Sequence, residues 1–282
     1  MEKLIELEFL MSTQMHSNLS KECLYQKIDN FKSSNNASSI ITNYYIQSNN
    51  RIIILLEESR YGLFFLLKDE VRNLSNYYFI ALKGYLNITK FKFPPENIVF
   101  EYVYNIQENI DVINHMEKLG FLKYNSLTKM SLIERDCNFI ESHDNVVKCN
   151  LSDFKEIKYA INNFFDPISE RLPDDTDIIS AIKSGSCFKV IVNNKLVAFY
   201  WANTKSKTSE LRFVFVNEKF RARGLGKTLI NHHLQLTSHV MKNQLWVLDN
   251  NYSAIKMYKN FGYKFEKIHD LVFLRKHNEK EN

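Results

Sequence analysis

An α/β (α+β) fold in two tandem domains, each a mixed, mainly antiparallel sheet flanked by helices, is predicted by three features of the sequence. Short apolar runs of strand length alternate with segments of helical periodicity along the chain. A helix-like pattern closed by Gly-Phe or Gly-Tyr occurs in each half, at residues 109–121 and 251–263. The chain, at 282 residues, is long for one domain and suits two.

Composition narrows the function classes. A hydrophobic fraction of 45% is ordinary for a globular protein and sufficient for real cores. The net charge of +5 is small for this length and weighs against a nucleic-acid partner, which wants clustered basic residues. Cysteines at 23, 137, 149 and 187 show no metal or redox spacing and read as buried apolar residues. The start, MEKLIELEFLM, mixes glutamates with its apolar residues, unlike a secretory signal. The longest aliphatic or aromatic runs, Ile52–Leu56 and Leu63–Leu67, are strand-sized and far short of a membrane span. A cytoplasmic protein with no membrane or nucleic-acid partner is expected. Its richness in Asn, Ile, Lys and Tyr suggests an AT-rich bacterial genome.

Residues 2–11 and 20–31 carry helical spacing, through Leu4, Leu7 and Leu10 or Met11, then Leu24, Ile28 and Phe31. The polar patch at 33–39 reads as a loop. Apolar runs at 40–47, 51–57 and 61–67, broken by Ser-Asn-Asn and Ser-Arg-Tyr-Gly, predict successive antiparallel strands. Residues 71–86 are assigned to a helix; Pro94-Pro95 breaks the chain before a strand at 98–104. The segment 109–132 echoes the second half: Asn109, Val112, Met116 and Gly120-Phe121 stand at the offsets of Asn251, Ala254, Tyr258 and Gly262-Tyr263. Polar residues 134–145 separate the halves. Domains are therefore expected at 1–136 and 146–282, with a linker at 137–145.

In the second half, Val146–Cys149 reads as a strand, and Leu151–Phe165 as a helix capped by Ser152 or Asp153. Asp174–Lys183 forms a second helix after Pro173. Cys187–Val192 and Lys195–Ala202 make a hairpin across Asn193-Asn194, a pair that favours turns. A strand at Ser209–Val216, a helix at Gly226–His239 and a strand at Leu245–Leu248 follow. The helix at Ser253–Phe261 is capped by Asn251 and ended by Gly262, and strands at 263–268 and 270–275 close the domain.

Between the strand ending at Val216 and the next helix lies Arg221-Ala222-Arg223-Gly224-Leu225-Gly226, then Lys227. The two glycines let the backbone turn sharply and approach a ligand. The helix that opens there has free N–H groups and a partial positive charge, so an anion can sit on it. The spacing is neither the Gly-x-x-x-x-Gly-Lys phosphate loop nor the Gly-x-Gly-x-x-Gly dinucleotide fingerprint. The Arg-x-x-Gly-x-Gly pattern is followed by Asn251, Ala254, Tyr258, Gly262 and Tyr263 in the order Asn-x-x-Ala-x-x-x-Tyr-x-x-x-Gly-[Phe/Tyr]. Together the two motifs resemble those of the GNAT superfamily of N-acetyltransferases, over residues 146–276. Over residues 1–133 the resemblance is weak, and no Arg-x-x-Gly-x-Gly loop precedes the echo. The first domain is accordingly expected to be a degenerate GNAT-like copy that does not bind the cofactor in the usual way.

The resemblance implies acetyl-CoA as co-substrate and no metal. Its pyrophosphate would lie on Arg221, Ala222, Arg223, Gly224, Leu225, Gly226 and Lys227. Family members carry a bulge in the preceding strand whose amides hold the acyl carbonyl and the pantetheine arm, here placed at Phe215 and Val216, with Val214 close by. Asn251 would bond the pantetheine arm; a plain helix cap explains it equally. Tyr258 would protonate the leaving thiolate, since a phenol stays protonated at neutral pH; packing as a core aromatic is the alternative. Glu210, six residues before Val216, matches the offset of the general base in the histone-acetylating branch, or is an exposed strand-end glutamate. Asp166, Glu170, Asp174, Asp175 and Asp177 border the family's acceptor site and would steer a cation, or serve as caps. His232, His233 and His239 share one helix and are assigned to a solvated face rather than to a metal.

The expected function is transfer of an acetyl group from acetyl-CoA to a primary amine of a small molecule or peptide. Direct attack in a ternary complex is expected, in a monomer or homodimer. A CoA-binding regulator without turnover, and a transferase of a longer acyl or aminoacyl group, are the alternatives.

Overall fold

The computed structural model describes residues 20–43, 52–82, 93, 96–105, 111–133 and 145–277. The helix expected at 2–11 and most of the linker at 137–145 lie outside them. The chain forms two compact units, one of residues 1–125 with 270–282, the other of residues 126–269.

In the first unit, helix α1 (Lys21–Ser34) is capped by Ser20, whose hydroxyl accepts the Cys23 N–H, and it buries Leu24, Ile28 and Phe31. Strands β1 (Ile40–Asn43), β2 (Ile52–Ser59), β3 (Gly62–Asp69), β4 (Leu74–Leu82) and β5 (Ile98–Asn105) follow. β2 and β3 form a hairpin, and β3 pairs antiparallel with β4. The helix expected at 71–86 is thus a strand. Its run Tyr77–Ala81 is buried throughout, and an apolar run buried on both faces has no period to separate strand from helix.

β4 pairs parallel with β5 only over Ser75–Tyr77. β1, expected beside β2, instead lies antiparallel along the rest of β4, from Ile40↔Leu82 to Asn43↔Phe79. Because β3 covers the other edge of β4, β1 occupies the edge that β5 leaves. Helix α2 (Asp111–Lys118) packs Met116 into a core of Phe64, Tyr77, Phe79, Phe100 and Phe121, joined by Leu271 and Phe273 from the end of the chain.

The second unit contains the end of β6 (Leu122–Leu132), then β7 (Val146–Lys148), α3 (Phe154–Phe164), α4 (Asp175–Lys183), β8 (Cys187–Val192), β9 (Lys195–Lys205) and β10 (Thr208–Val216). α5 (Leu225–Leu236), β11 (Lys242–Leu248), α6 (Tyr252–Asn260) and the first half of β12 (Lys264–Arg275) complete it. Its strand order is β6-β11-β10-β9-β8-β7, with β10–β11 the parallel pair. Asn193 and Asn194 turn the β8–β9 hairpin at φ 51° and 58°, as their sequence suggests. α3 and α4 bury Ile157, Ile161, Ile178 and Ile182 against Phe199 and Phe213 on one face. α5 and α6 bury Leu229, Ile230 and Tyr258 against Met130 and Tyr200 on the other.

The units depart from the expected boundaries in two places. Residues 127–132 pair with Asn243–Leu248 and so belong to the second unit. Residues 270–275 belong to the first, whose core takes Leu271 and Phe273. The two short strands expected at 263–268 and 270–275 are one continuous strand, β12.

Candidate active site

β10 and β11 run in register only from Thr208↔Lys242 to Leu211↔Leu245. β10 then continues to Val216 and β11 to Leu248, leaving a wedge between them. The register of β10 against β9 slips between Leu211 and Phe213, so Arg212 is the bulged residue, earlier than the expected 214–216. Past the bulge, the Asn217 N–H donates to the Val197 carbonyl of β9 at 2.8 Å. Alternation along a strand then turns the N–H groups of Val214 and Val216 toward the wedge. The Val216 carbonyl faces the same way and accepts from Arg221 Nε at 3.3 Å. Phe215 directs its amide to β9 instead, and its ring packs against Phe164 and Phe199 with centroids 5.0 and 5.6 Å away.

The glycine loop closes one end of the wedge. Gly224 has φ 81° and caps α5; a Cβ there would meet nothing within 4 Å, so conformation rather than space asks for glycine. At Gly226 space decides: a Cβ would stand 3.0 Å from Met257 Sδ of α6. No side chain caps α5, so the amides of Leu225, Gly226 and Lys227 keep their capacity for an anion at the positive end of the helix. Arg223 lies 5.1 Å over the Phe220 ring, and Arg221 and Lys227 line the opening.

A cavity of about 700 Å³ runs from this loop along the wedge. Ala222, Gly224, Leu225 and Gly226 line its loop end, Val214, Val216, Leu248 and Asn251 its middle, and Phe164, Glu170, Arg212, Trp246 and Tyr258 its inner end. The Asn251 side chain caps α6 by accepting the Ala254 N–H at 3.2 Å. Tyr258 is 7% exposed; burial raises the pKa of its phenol, and the Glu170 charge raises it further. Glu170 reaches the cavity from the segment between α3 and α4. One of its oxygens accepts the Asp166 N–H at 2.7 Å, and burial pushes its carboxyl up to about 7.

The structure does not bring the two expected catalytic side chains together. Glu210 is outside the cavity lining, accepting from Gln244 Nε2 at 3.2 Å and standing 3.7 Å from Arg212 Nη1. Among the five expected acidic residues, Glu170 alone lines the cavity. Asp174 and Asp177 form a reciprocal cap at the start of α4, Asp175 pairs with Lys158, and Asp166 accepts from Ile168 N–H and Ser169 Oγ. Of the three histidines expected on a solvated face, His239 is exposed and His232 half-buried. His233 is buried, and His232 Nδ1 meets the Tyr200 hydroxyl at 2.8 Å, because α5 lies on an aromatic surface of β8 and β9. Cys149 and Cys187 are buried, with the Cys149 thiol pushed up to about 12 by burial, and neither lines the cavity. Among the described residues no cluster of three His, Cys, Asp or Glu could hold a metal ion, and no helix is long and apolar enough to cross a membrane.

The profile of the acetyltransferase (GNAT) family matches residues 154–263, which hold the bulge, the wedge, the glycine loop and Tyr258. This stretch of the chain is a GNAT-family acetyltransferase domain. A curated relative, an uncharacterized N-acetyltransferase from Methanocaldococcus jannaschii, is 31% identical over 86 residues. That match covers 27% of this chain and only 38% of the relative's length. In fold, a GCN5-related N-acetyltransferase from Sphaerobacter thermophilus is similar at TM-score 0.58 and 9% identity, over 89% of this chain and 84% of that one. A tandem GNAT protein of the clavulanic acid biosynthesis pathway is similar at TM-score 0.52 and 8% identity, over 86% and 85% of the two chains. These likenesses extend beyond the GNAT domain to the first unit's fold.

Proposed function

We propose that the GNAT domain transfers an acetyl group from acetyl-CoA to a primary amine. The observation that carries this reading is the wedge between β10 and β11, with the amides of Val214 and Val216 turned into it and the glycine loop at its mouth. The groups present fit the donor. The loop amides with Arg221 and Lys227 suit a pyrophosphate, Gly226 leaves room beside Met257, and the mostly apolar middle suits an extended arm.

Acetyl-CoA supplies an acyl carbon activated as a thioester. In this reading the Val214 and Val216 N–H groups bond the arm and the acyl oxygen, where negative charge builds during attack. Asn251, besides capping α6, lies beside the arm. Tyr258 donates its proton to the departing sulfur, and its burial keeps the phenol protonated across neutral pH. Glu210 holds Arg212 beside the bulge. The acceptor is a small molecule or peptide amine entering past Phe164 and Glu170. The first unit, with β1 along the edge of β4, serves as a GNAT-like partner domain without a cofactor of its own.

The test is release of CoA thiol from acetyl-CoA across a panel of amino acids, polyamines, aminoglycosides and peptide N-termini. Turnover with at least one amine is expected, and Gly224→Glu should abolish it by placing a carboxylate where the phosphates bind. Tight acetyl-CoA binding with no thiol release from any amine would favour a CoA-binding regulator instead.

A further inference from the structure

Three groups line the inner end of the cavity: the Arg212 bulge, Tyr258 and Glu170. The expected base, Glu210, turns instead toward Gln244 and Arg212. We infer that Glu170, from the segment joining α3 and α4, takes the proton from the attacking amine opposite Tyr258. This inference rests on the acetyltransferase reading above.

The placement of Glu170 is built by its own segment. Arg171 holds a left-handed backbone at φ 42°, a conformation that costs energy for a residue other than glycine. Beside that turn, the Glu170 N–H donates to the Asp166 carbonyl at 3.0 Å, and one Glu170 carboxylate oxygen accepts the Asp166 N–H at 2.7 Å. Asp166 in turn accepts from the Ile168 N–H at 3.2 Å and from Ser169 Oγ at 2.6 Å. The loop is thus braced around its own carboxylates, and Glu170 is the one that lines the cavity.

Among the described residues, the groups that act on it or share its cavity set its charge. Burial raises its pKa most, the Asp166 N–H it accepts lowers it and the Asp166 charge raises it again; Tyr258 of α6 feels its charge, and Arg212 of β10 lines the same cavity while pairing with Glu210. With burial the larger cause, the Glu170 carboxyl titrates at about 7. A base with that affinity can hold an amine's proton during turnover and still be ionised in part at neutral pH.

The step balances without any further reactant. The amine nitrogen forms a bond to the acyl carbon as the carbon–sulfur bond breaks, and one N–H proton passes to the Glu170 carboxylate. The sulfur takes the Tyr258 proton. Glu170 then holds a proton and Tyr258 lacks one, and the far higher affinity of the phenolate drives the proton from the carboxyl to it, directly or through water. Both groups are restored, and the products are the amide and free CoA thiol.

The experiment uses the full chain with acetyl-CoA and two kinds of probe, aliphatic primary amines and hydroxylamine, a small nucleophile far less basic than an alkylamine; rates are referred to its neutral form, with the thiol it releases without the protein subtracted at each pH. Wild-type thiol release with hydroxylamine should rise with pH along an acid limb centred near 7, because Glu170 must be ionised to accept a proton. Glu170→Gln keeps an oxygen to accept the Asp166 N–H, and it should erase that limb. It should also lower kcat about 100-fold with the amines while leaving the KM for acetyl-CoA unchanged. Glu210→Gln should keep the limb.

A second readout needs no turnover. The folded protein binds a proton at Glu170 that the unfolded chain releases, so wild-type stability should fall as pH rises from the ordinary carboxylate range to about 7. That slope should be shallower in Glu170→Gln. Wild-type kcat and an intact acid limb in Glu170→Gln would overturn the role of Glu170 alone. A wild-type chain that passes its acetyl group to no probe, hydroxylamine included, would overturn the acetyltransferase reading together with it.

Discussion

Tyr258 shows how one side chain is assigned by what surrounds it. Its ring belongs to the core of the second unit, 5.8 Å from Tyr263, while the same residue lines the inner end of the cavity. Tyr258→Phe should therefore fold normally and bind acetyl-CoA normally, yet lose about 100-fold in kcat. An equal rise in KM would instead mark the hydroxyl as a binding group. Gly226→Val should act in the opposite sense, weakening acetyl-CoA in an equilibrium titration because the added side chain meets Met257 Sδ. The loop, Asn251 and Tyr258 were legible in the sequence because each belongs to a contiguous motif with fixed spacing. Glu170 was visible only as one of five acidic residues. Its selection depends on a left-handed Arg171 and on its charge reaching Tyr258 of α6, neither of which leaves a local pattern.

Secondary-structure elements carried the sequence echo into geometry. α2 and α6 end alike: Gly120 and Gly262 take φ 82° and 86°, and the Phe121 and Tyr263 amides each reach back to Met116 and Tyr258 carbonyls at 3.1 Å. The pattern Gly-Phe or Gly-Tyr after a helix was readable because that helix end has a strict chemistry. β4 was not, since a run of aromatic and aliphatic residues buried on both faces reads equally well as helix or strand. Capping shows a third case. The helix beginning near residue 151 was legible, but its cap is Asn150, which accepts the Ser152 N–H, rather than Ser152 or Asp153; the Asp153 carboxylate accepts the Asn150 N–H and has Lys189 Nζ of β8 at 2.6 Å from both of its oxygens. The pair is buried, so Asp153→Ala should cost about 3–5 kcal/mol in chemical denaturation by leaving Lys189 unpaired. Asp153→Ala with Lys189→Met should recover much of that loss.

At the scale of the whole chain, the halves exchange segments. The second unit uses residues 126–132 beside β11, and the first takes Leu271 and Phe273 into its aromatic core. Such pairings join residues more than a hundred positions apart, which local patterns do not record, so the sequence placed a boundary at 137–145 that cuts through both units. A fragment of residues 146–282 should consequently be less soluble and melt at lower temperature than the full chain, while adding residues 126–136 should restore part of the loss. The same scale bears on the proposed count of one cofactor per chain. In the second unit the edge of β10 past Leu211 is left open toward the cavity; in the first, the corresponding edge of β4 past Tyr77 is already taken by β1. The direct test is a calorimetric titration of the full chain with acetyl-CoA. One molecule per chain is expected, with binding lost in Gly224→Glu; two equivalents per chain, or undiminished binding in that variant, would contradict the account.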